Sequence, residues 1–214
     1  MSSPSIAIVD YGVGNLHSLK RAFKNFDIEC VISEEANELQ KAQALVLPGV
    51  GAFEAGMRGL EMRGLVEVIK GIAARGTPLF GICLGAQLFL TKGHEFGIFK
   101  GLDLIPGRVV RFPFSGDREK VPQVGWNHLI QLPGVSWQDT ILSTLTPESQ
   151  VYFVHSYILE PTESSHILAE SIYGDHTFAS VIRDGNIYGC QFHPEKSGSV
   201  GLKIIKNFID LIHS

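Results

Sequence analysis

The chain comprises 214 residues, 44% of them hydrophobic and 19% charged, with a formal net charge of −4. This length suits one α/β domain spanning 1–214 better than two complete ones, and an apolar fraction of this size excludes a disordered chain. The Lys and Arg residues are scattered rather than massed, which argues against a nucleic-acid partner, since such a partner demands a basic face.

In chain order, Ile6 to Asp10 reads as a short buried strand, and no basic leader precedes it, so no signal peptide is expected. A turn-like Tyr11-Gly12-Val13-Gly14-Asn15 follows. Leu16, Leu19, Ala22, Phe23 and Phe26 then recur at helical spacing, with Asn15 as the N-cap. Glu29 to Ile32 and Ala44 to Leu47 are the next strands, with a weak helix around Glu35 to Gln43 between them. Leu60 to Arg75 has a helical pattern that stops at Gly76. Pro78 to Ile82 reads as another strand and Gly85 to Lys92 as a helix. The most apolar stretch, around Leu79 to Leu90, is shorter than the roughly 20 residues of a membrane helix and is interrupted by Gln87, so no membrane span is expected.

Strands alternating with helices predict an α/β fold, a central twisted and mainly parallel sheet flanked by helices. From about Gly107 the pattern changes. Val121 to Gln131, Gln150 to Leu159, His166 to Ile172, Phe178 to Arg183 and Asn186 to Phe192 read as strands joined by turns such as Asp184-Gly185-Asn186. These add antiparallel strands in the C-terminal half. Gly198 to Ile212 closes the chain as an amphipathic helix with Leu202, Ile205, Phe208, Ile209 and Ile212 on one side. There are three cysteines, Cys30, Cys83 and Cys190, and no CxxC pair. They form neither a disulfide framework nor a zinc site, and a reducing cytoplasm is the expected location.

Cys83 lies in Gly81-Ile82-Cys83-Leu84-Gly85, at a predicted strand-to-helix turn. That is the pattern of a nucleophile elbow: a sharp turn lifts the thiol clear of the sheet, flanking glycines remove clashing Cβ atoms, and the helix N-terminus favours an anion. The alternative is a buried structural cysteine, the commonest fate of a free thiol and the reading given to Cys30 and Cys190. A thiol nucleophile needs a base and a group to hold the base. In Phe192-His193-Pro194-Glu195 an extended chain places His193 and Glu195 on one side, with Pro194 stiffening the segment. A surface His and Glu at a strand end is the alternative. The His-x-Glu of zinc deaminases is excluded because no cysteine follows Cys190.

Leu47-Pro48-Gly49-Val50-Gly51-Ala52-Phe53 follows a strand, and its two glycines expose N–H groups that can aim at a developing oxyanion; the Leu84 N–H is the natural second donor. Without the elbow it would pass for an ordinary turn. Gly12-Val13-Gly14 also follows a strand, but the third glycine of a dinucleotide fingerprint is replaced by His17, and no Gly-Lys-Ser/Thr occurs. No cofactor and no metal are expected. Val151 to Tyr157 mixes aromatic and polar residues on a strand. His155 there is a rival for the base, but no carboxylate lies beside it.

Taken together, GICLGAQ, QFHPEKSG, LPGVGAF and YFVHSY, in this order and spacing, resemble the class I (triad) glutamine amidotransferases, whose fold is flavodoxin-like. Within that family DYGVGNL, GLDLIPGRVVRF and VGWNHL are similar to the glutaminase subunits of imidazole glycerol phosphate synthase, the HisH type. The resemblance runs from Asp10 to Asn207. It implies hydrolysis of L-glutamine to glutamate and ammonia, with Cys83 as nucleophile, His193 as base and acid, and Glu195 as its orienting partner. It implies oxyanion N–H groups from Gly51 and Leu84 with Val50 in their loop, and a glutamine site at Gly49, Gln87, His155, Ser156 and Tyr157. It further implies a (β/α)8-barrel cyclase partner, with Asn15, Trp126 and Lys196 in segments near it. Ala86 stands where such proteins often carry Met, and His94-Glu95-Phe96-Gly97 replaces a more acidic turn; neither touches the triad. These departures leave open a paralogue serving a sugar-amidating enzyme. A cysteine peptidase or γ-glutamyl hydrolase of related fold, and a non-enzymatic regulatory subunit, are the readings from other classes.

Overall fold

A computed structural model describes residues 5–113 and 120–212. The first half alternates as its apolar pattern dictates: β1 (Ile6–Val9), α1 (Leu16–Lys24), β2 (Cys30–Ser33), α2 (Ala36–Lys41), β3 (Ala44–Gly49), α3 (Phe53–Met62), α4 (Leu65–Ala74), β4 (Leu79–Cys83) and α5 (Leu84–Leu88). Asn15 caps α1, its side chain accepting from the Ser18 N–H at 3.2 Å. One helix was expected from Leu60 to Arg75; the chain makes two. Gly64 takes the left-handed conformation (φ 65°), which ends the first helix and redirects the second. The expected helix Gly85 to Lys92 is also cut short, because its second half leaves as a strand. Short apolar runs are ambiguous between helix and strand, and sheet pairing decides this one.

The second half contributes β5 (Leu90–Gly93), β6 (Phe99–Lys100), β7 (Ile105–Arg111), β8 (Gln123–His128), β9 (Gln150–His155), β10 (Tyr157–Pro161), β11 (Ile167–Tyr173), β12 (His176–Asp184), β13 (Ile187–Cys190) and α6 (Gly198–Leu211). The strand expected from Gln150 to Leu159 breaks at Ser156. β9 pairs with β8 in a separate two-stranded ribbon, while β10 joins the main sheet beside β7.

The main sheet runs β2-β1-β3-β4-β13-β12-β10-β7-β5-β6, with β11 attached to β12. From β2 to β13 all pairings are parallel; β12, β10 and β7 then pair antiparallel. Alternate residues serve opposite faces. Ile6 and Ile8 join the cluster of Leu19 and Phe23 from α1 and Ile205 and Phe208 from α6. Ala7 and Val9 join that of Leu39 from α2, Leu60 from α3 and Ile69 from α4. Because β1, β3, β4 and β13 are parallel, the loops after their carboxyl ends emerge along one edge. In open α/β sheets that edge is where ligands bind.

Candidate active site

β4 is buried throughout, and the chain turns sharply into α5 at Cys83, whose backbone sits at φ 53°, ψ −108°. A non-glycine residue there is strained, and the turn survives only because its surroundings hold it. A Cβ at Gly81 would stand 2.6 Å from the Phe89 ring and 2.7 Å from the Ala86 backbone, and one at Gly85 would fall on the Leu47 carbonyl oxygen. Both positions therefore demand glycine, as the elbow reading of the sequence requires. Leu84 opens α5, so its N–H has no acceptor within the helix.

His193 follows β13 on the neighbouring parallel strand. Its Nδ1 lies 2.9 Å from Glu195 Oε1, and both side chains are buried. The two do not meet by standing two apart on an extended chain. Pro194–Lys196 forms a 3-10 turn that swings Glu195 back onto the ring, and proline suits the first position of such a turn. Ser197 fixes the turn to the ribbon: its hydroxyl donates to the His193 carbonyl (2.7 Å) and accepts from the Tyr152 N–H (2.9 Å). The His193 N–H donates to the Tyr152 carbonyl at 3.0 Å. Burial alone pulls the His193 pKa down, but hydrogen bonding to Cys83 and Glu195 and their charges outweigh it and raise it to about 9. Among the described residues Nε2 makes no hydrogen bond of regular geometry, and its ring lines the same cavity as the Cys83 thiol.

That cavity, of ≈ 420 Å³, is lined by Val50, Gly51 and Ala52 on one side and by Gln87, Ser156 and Tyr157 on others. Its size falls within the roughly 300–1,000 Å³ of small-molecule sites. Gly51 has φ 105° and, among the described residues, no atom within 4 Å of a would-be Cβ, so conformation rather than space selects glycine there. Gly49, expected to touch substrate, lies behind the cavity instead. A Cβ there would meet the Tyr11 hydroxyl at 2.5 Å and Leu84 Cβ at 2.7 Å, so close packing accounts for it. The buried Tyr11 phenol, its pKa pushed up by burial and then by Cys83, donates to the Pro48 carbonyl in the same loop.

His155 lines the cavity, but both its ring nitrogens are engaged by the chain, so it forms wall rather than a hydrogen-bonding contact for substrate. Nδ1 lies 2.9 Å from the Tyr157 carbonyl and Nε2 2.8 Å from the Gln123 amide. Burial among Phe112, Phe153 and Phe178 pushes its pKa down to about 4, so the ring is neutral, with its proton on Nδ1 facing the Tyr157 carbonyl. A base rivalling His193 it is not. Cys30 and Cys190 are buried and free, and burial raises both thiols, Cys30 to about 12.

Besides Gln123, the polar residues Glu95 and Gln191 at the site were not singled out from the sequence. Glu95 lines the pocket, and its Oε2 accepts from the Phe53 N–H at 2.7 Å, capping α3 from a loop 42 residues away. Gln191, fully buried, reaches Cys83 and Gln87. A polar side chain inside the apolar run Tyr188 to Phe192 was the signal for Gln191; Glu95 left none beyond its unusual turn. Asn15, Trp126 and Lys196 are all exposed, Trp126 by 55%. Trp126 stands opposite Tyr152 in the ribbon, and α1 packs against the Pro194–Lys196 turn, so all three lie on elements bordering the site.

The model of the glutamine amidotransferase class-I family matches residues 7–211, and the chain belongs to that family. It is 48% identical over 211 residues to the imidazole glycerol phosphate synthase subunit HisH 1 of Legionella pneumophila (strain Paris), covering 97% of this chain and 99% of that one. It is 41% identical over 206 residues to the HisH subunit of Chlorobaculum tepidum, covering 96% and 99%. A crystal structure of a glutamine amidotransferase superposes with a TM-score of 0.74 at 19% identity, covering 97% of this chain and 99% of that one, a likeness of fold. Among the described residues no helix is long and apolar enough to cross a membrane.

Proposed function

We propose that this chain, acting as one domain over 1–214, is the glutaminase subunit of an imidazole glycerol phosphate synthase. The observation that carries the reading is the meeting of Cys83 at its elbow with the buried His193–Glu195 pair (2.9 Å) at one small cavity. Glutamine enters with its side-chain amide against Cys83. Gln87, Ser156 and Tyr157 hold it, and the Glu95 carboxylate takes its ammonium group. His193 accepts the thiol proton, and the sulfur attacks the amide carbon. The N–H groups of Gly51 and Leu84, with Val50 setting the loop, receive the oxyanion. The C–N bond breaks as His193 returns the proton to nitrogen, releasing ammonia and leaving a γ-glutamyl thioester. Water, deprotonated by His193, then cleaves the thioester to glutamate and restores the thiol. Glu195 holds the ring and stabilises its cationic form. Every proton is carried by the chain and water.

Ammonia then passes to a (β/α)8-barrel cyclase partner docked over Asn15, Trp126 and Lys196. There it joins a ribulosylaminoimidazole-carboxamide nucleotide, giving imidazole glycerol phosphate and aminoimidazole carboxamide ribotide in histidine biosynthesis. Full-length identity to HisH subunits supports this acceptor. The test combines trapping and turnover. A glutamine-mimicking diazo ketone should modify Cys83, and glutamate release should be low for the chain alone and strongly stimulated by the cyclase with its nucleotide. No adduct on Cys83 removes the nucleophile; full activity without a partner removes the acceptor. Failure to complement a histidine auxotroph would point to a sugar-amidating partner instead.

A further inference from the structure

Gln191 follows β13 and is held by its own N–H, which donates to the Ser180 carbonyl at 2.9 Å. Its side chain has no access to solvent. Its amide lies between two groups of the cavity: Gln87 Nε2 at 3.3 Å from Oε1, and Cys83 Sγ at 3.8 Å from Nε2. One backbone carbonyl sets the polarity of this chain. Gln87 Nε2 lies 3.3 Å from the Tyr157 carbonyl oxygen, which can only accept, so the Gln87 nitrogen must face it. The same nitrogen donates to Gln191, whose oxygen must therefore turn towards Gln87. That leaves the Gln191 NH2 for sulfur. Two consequences follow. Gln87 is left with its oxygen, an acceptor, for an N–H group entering the cavity it lines. The sulfur, which also lies 4.0 Å from the Val154 carbonyl oxygen and beside the His193 ring, has a fixed N–H donor in Gln191.

We infer that Gln191 is a positioning residue for the glutaminase reaction, holding the Cys83 sulfur anion by its NH2 while locking Gln87 as an acceptor by its oxygen. The inference rests on Cys83 being the nucleophile proposed above. The other ionisable groups that feel the sulfur are His193, Tyr11 and Cys190, with His155 and Glu95 lining the same cavity; Gln191→Met replaces none of them and adds no charge.

The test uses the full chain with Gln191→Met, which keeps volume and loses both bonds, and Gln191→Glu, which keeps an acceptor for Gln87 and turns an oxygen to sulfur. Alkylation of Cys83 by iodoacetamide, followed by peptide mass spectrometry across pH, should shift to higher pH in both variants. Its rate at pH 7 should fall about 10–100-fold, the span of a hydrogen bond to a charged group. KM for glutamine should rise in Gln191→Met and less in Gln191→Glu. A folded Gln191→Met with the wild-type alkylation profile overturns the inference. Should both variants fail to fold, the wild-type protein decides: its Gln191 side-chain amide signals must move when Cys83 is alkylated, and unmoved signals overturn it. Diazo ketone labelling of the wild type runs in parallel. No labelling defeats the proposed nucleophile; labelling with unshifted variants defeats only the role of Gln191.

Discussion

At Glu195 one carboxylate oxygen meets the His193 ring and the other is buried without a hydrogen-bond partner among the described residues, so the side chain serves the ring at a cost in desolvation. Glu195→Gln keeps the shape and removes the charge. The His193 pKa, raised to about 9 with Glu195 among its supports, should fall, as read from ring C–H chemical shifts across pH. Glutamine hydrolysis should drop by about 10²–10⁴ in kcat/KM, the range typical of general acid–base catalysis. An unmoved His193 midpoint would show that Cys83 alone sustains the ring. At this scale the sequence displayed Cys83, His193 and Glu195 because each sits in a short pattern with its own local logic. Glu95, Gln123 and Gln191 were not displayed, because their partners lie 42, 32 and 108 positions away and burial alone gives them meaning.

Among the elements, strands were the more legible. β1, β3, β4 and the strands after Gly107 follow apolar runs bounded by turn residues, and their existence was readable to within a few positions. What periodicity could not show was where neighbouring structure overrides it. The helix pattern from Leu60 to Arg75 continues through Gly64 without a break in spacing, yet the backbone there is left-handed. Gly64→Ala meets no atom of the described residues within 4 Å, so its effect isolates that conformation. It should cost about 1–2 kcal/mol, lowering the melting temperature by roughly 2–8 °C while leaving Cys83 labelling by the diazo ketone unchanged. A variant as stable as wild type would mean that α3 and α4 can merge. The turn at Pro194–Lys196 is the other lesson. The right two side chains were paired for the wrong reason, since a 3-10 turn and not an extended strand brings them together.

Across the whole molecule two buried histidines set opposite slopes of stability with pH. His193, raised from the ordinary 6.5 to about 9, contributes stability that is complete below pH 6.5 and is lost as pH climbs through 9. His155, lowered from 6.5 to about 4, is neutral when folded. Its contribution is complete above pH 6.5 and is lost as pH falls towards 4, to the extent of about 3 kcal/mol. Urea unfolding measured from pH 4 to 9 should therefore peak near pH 6.5. His155→Gln should flatten the acid limb and His193→Gln the alkaline one; a curve without either limb would contradict both assignments.

The junction between β9 and β10 bears on how this architecture responds to force. Only Ser156 separates the two-stranded ribbon from the main sheet, and Ser156 with its neighbours His155 and Tyr157 is also cavity wall. The same ribbon is tied through Tyr152 to Ser197 and to the His193 backbone, so a push on it is expected to reach the cavity wall and the turn that carries Glu195 together.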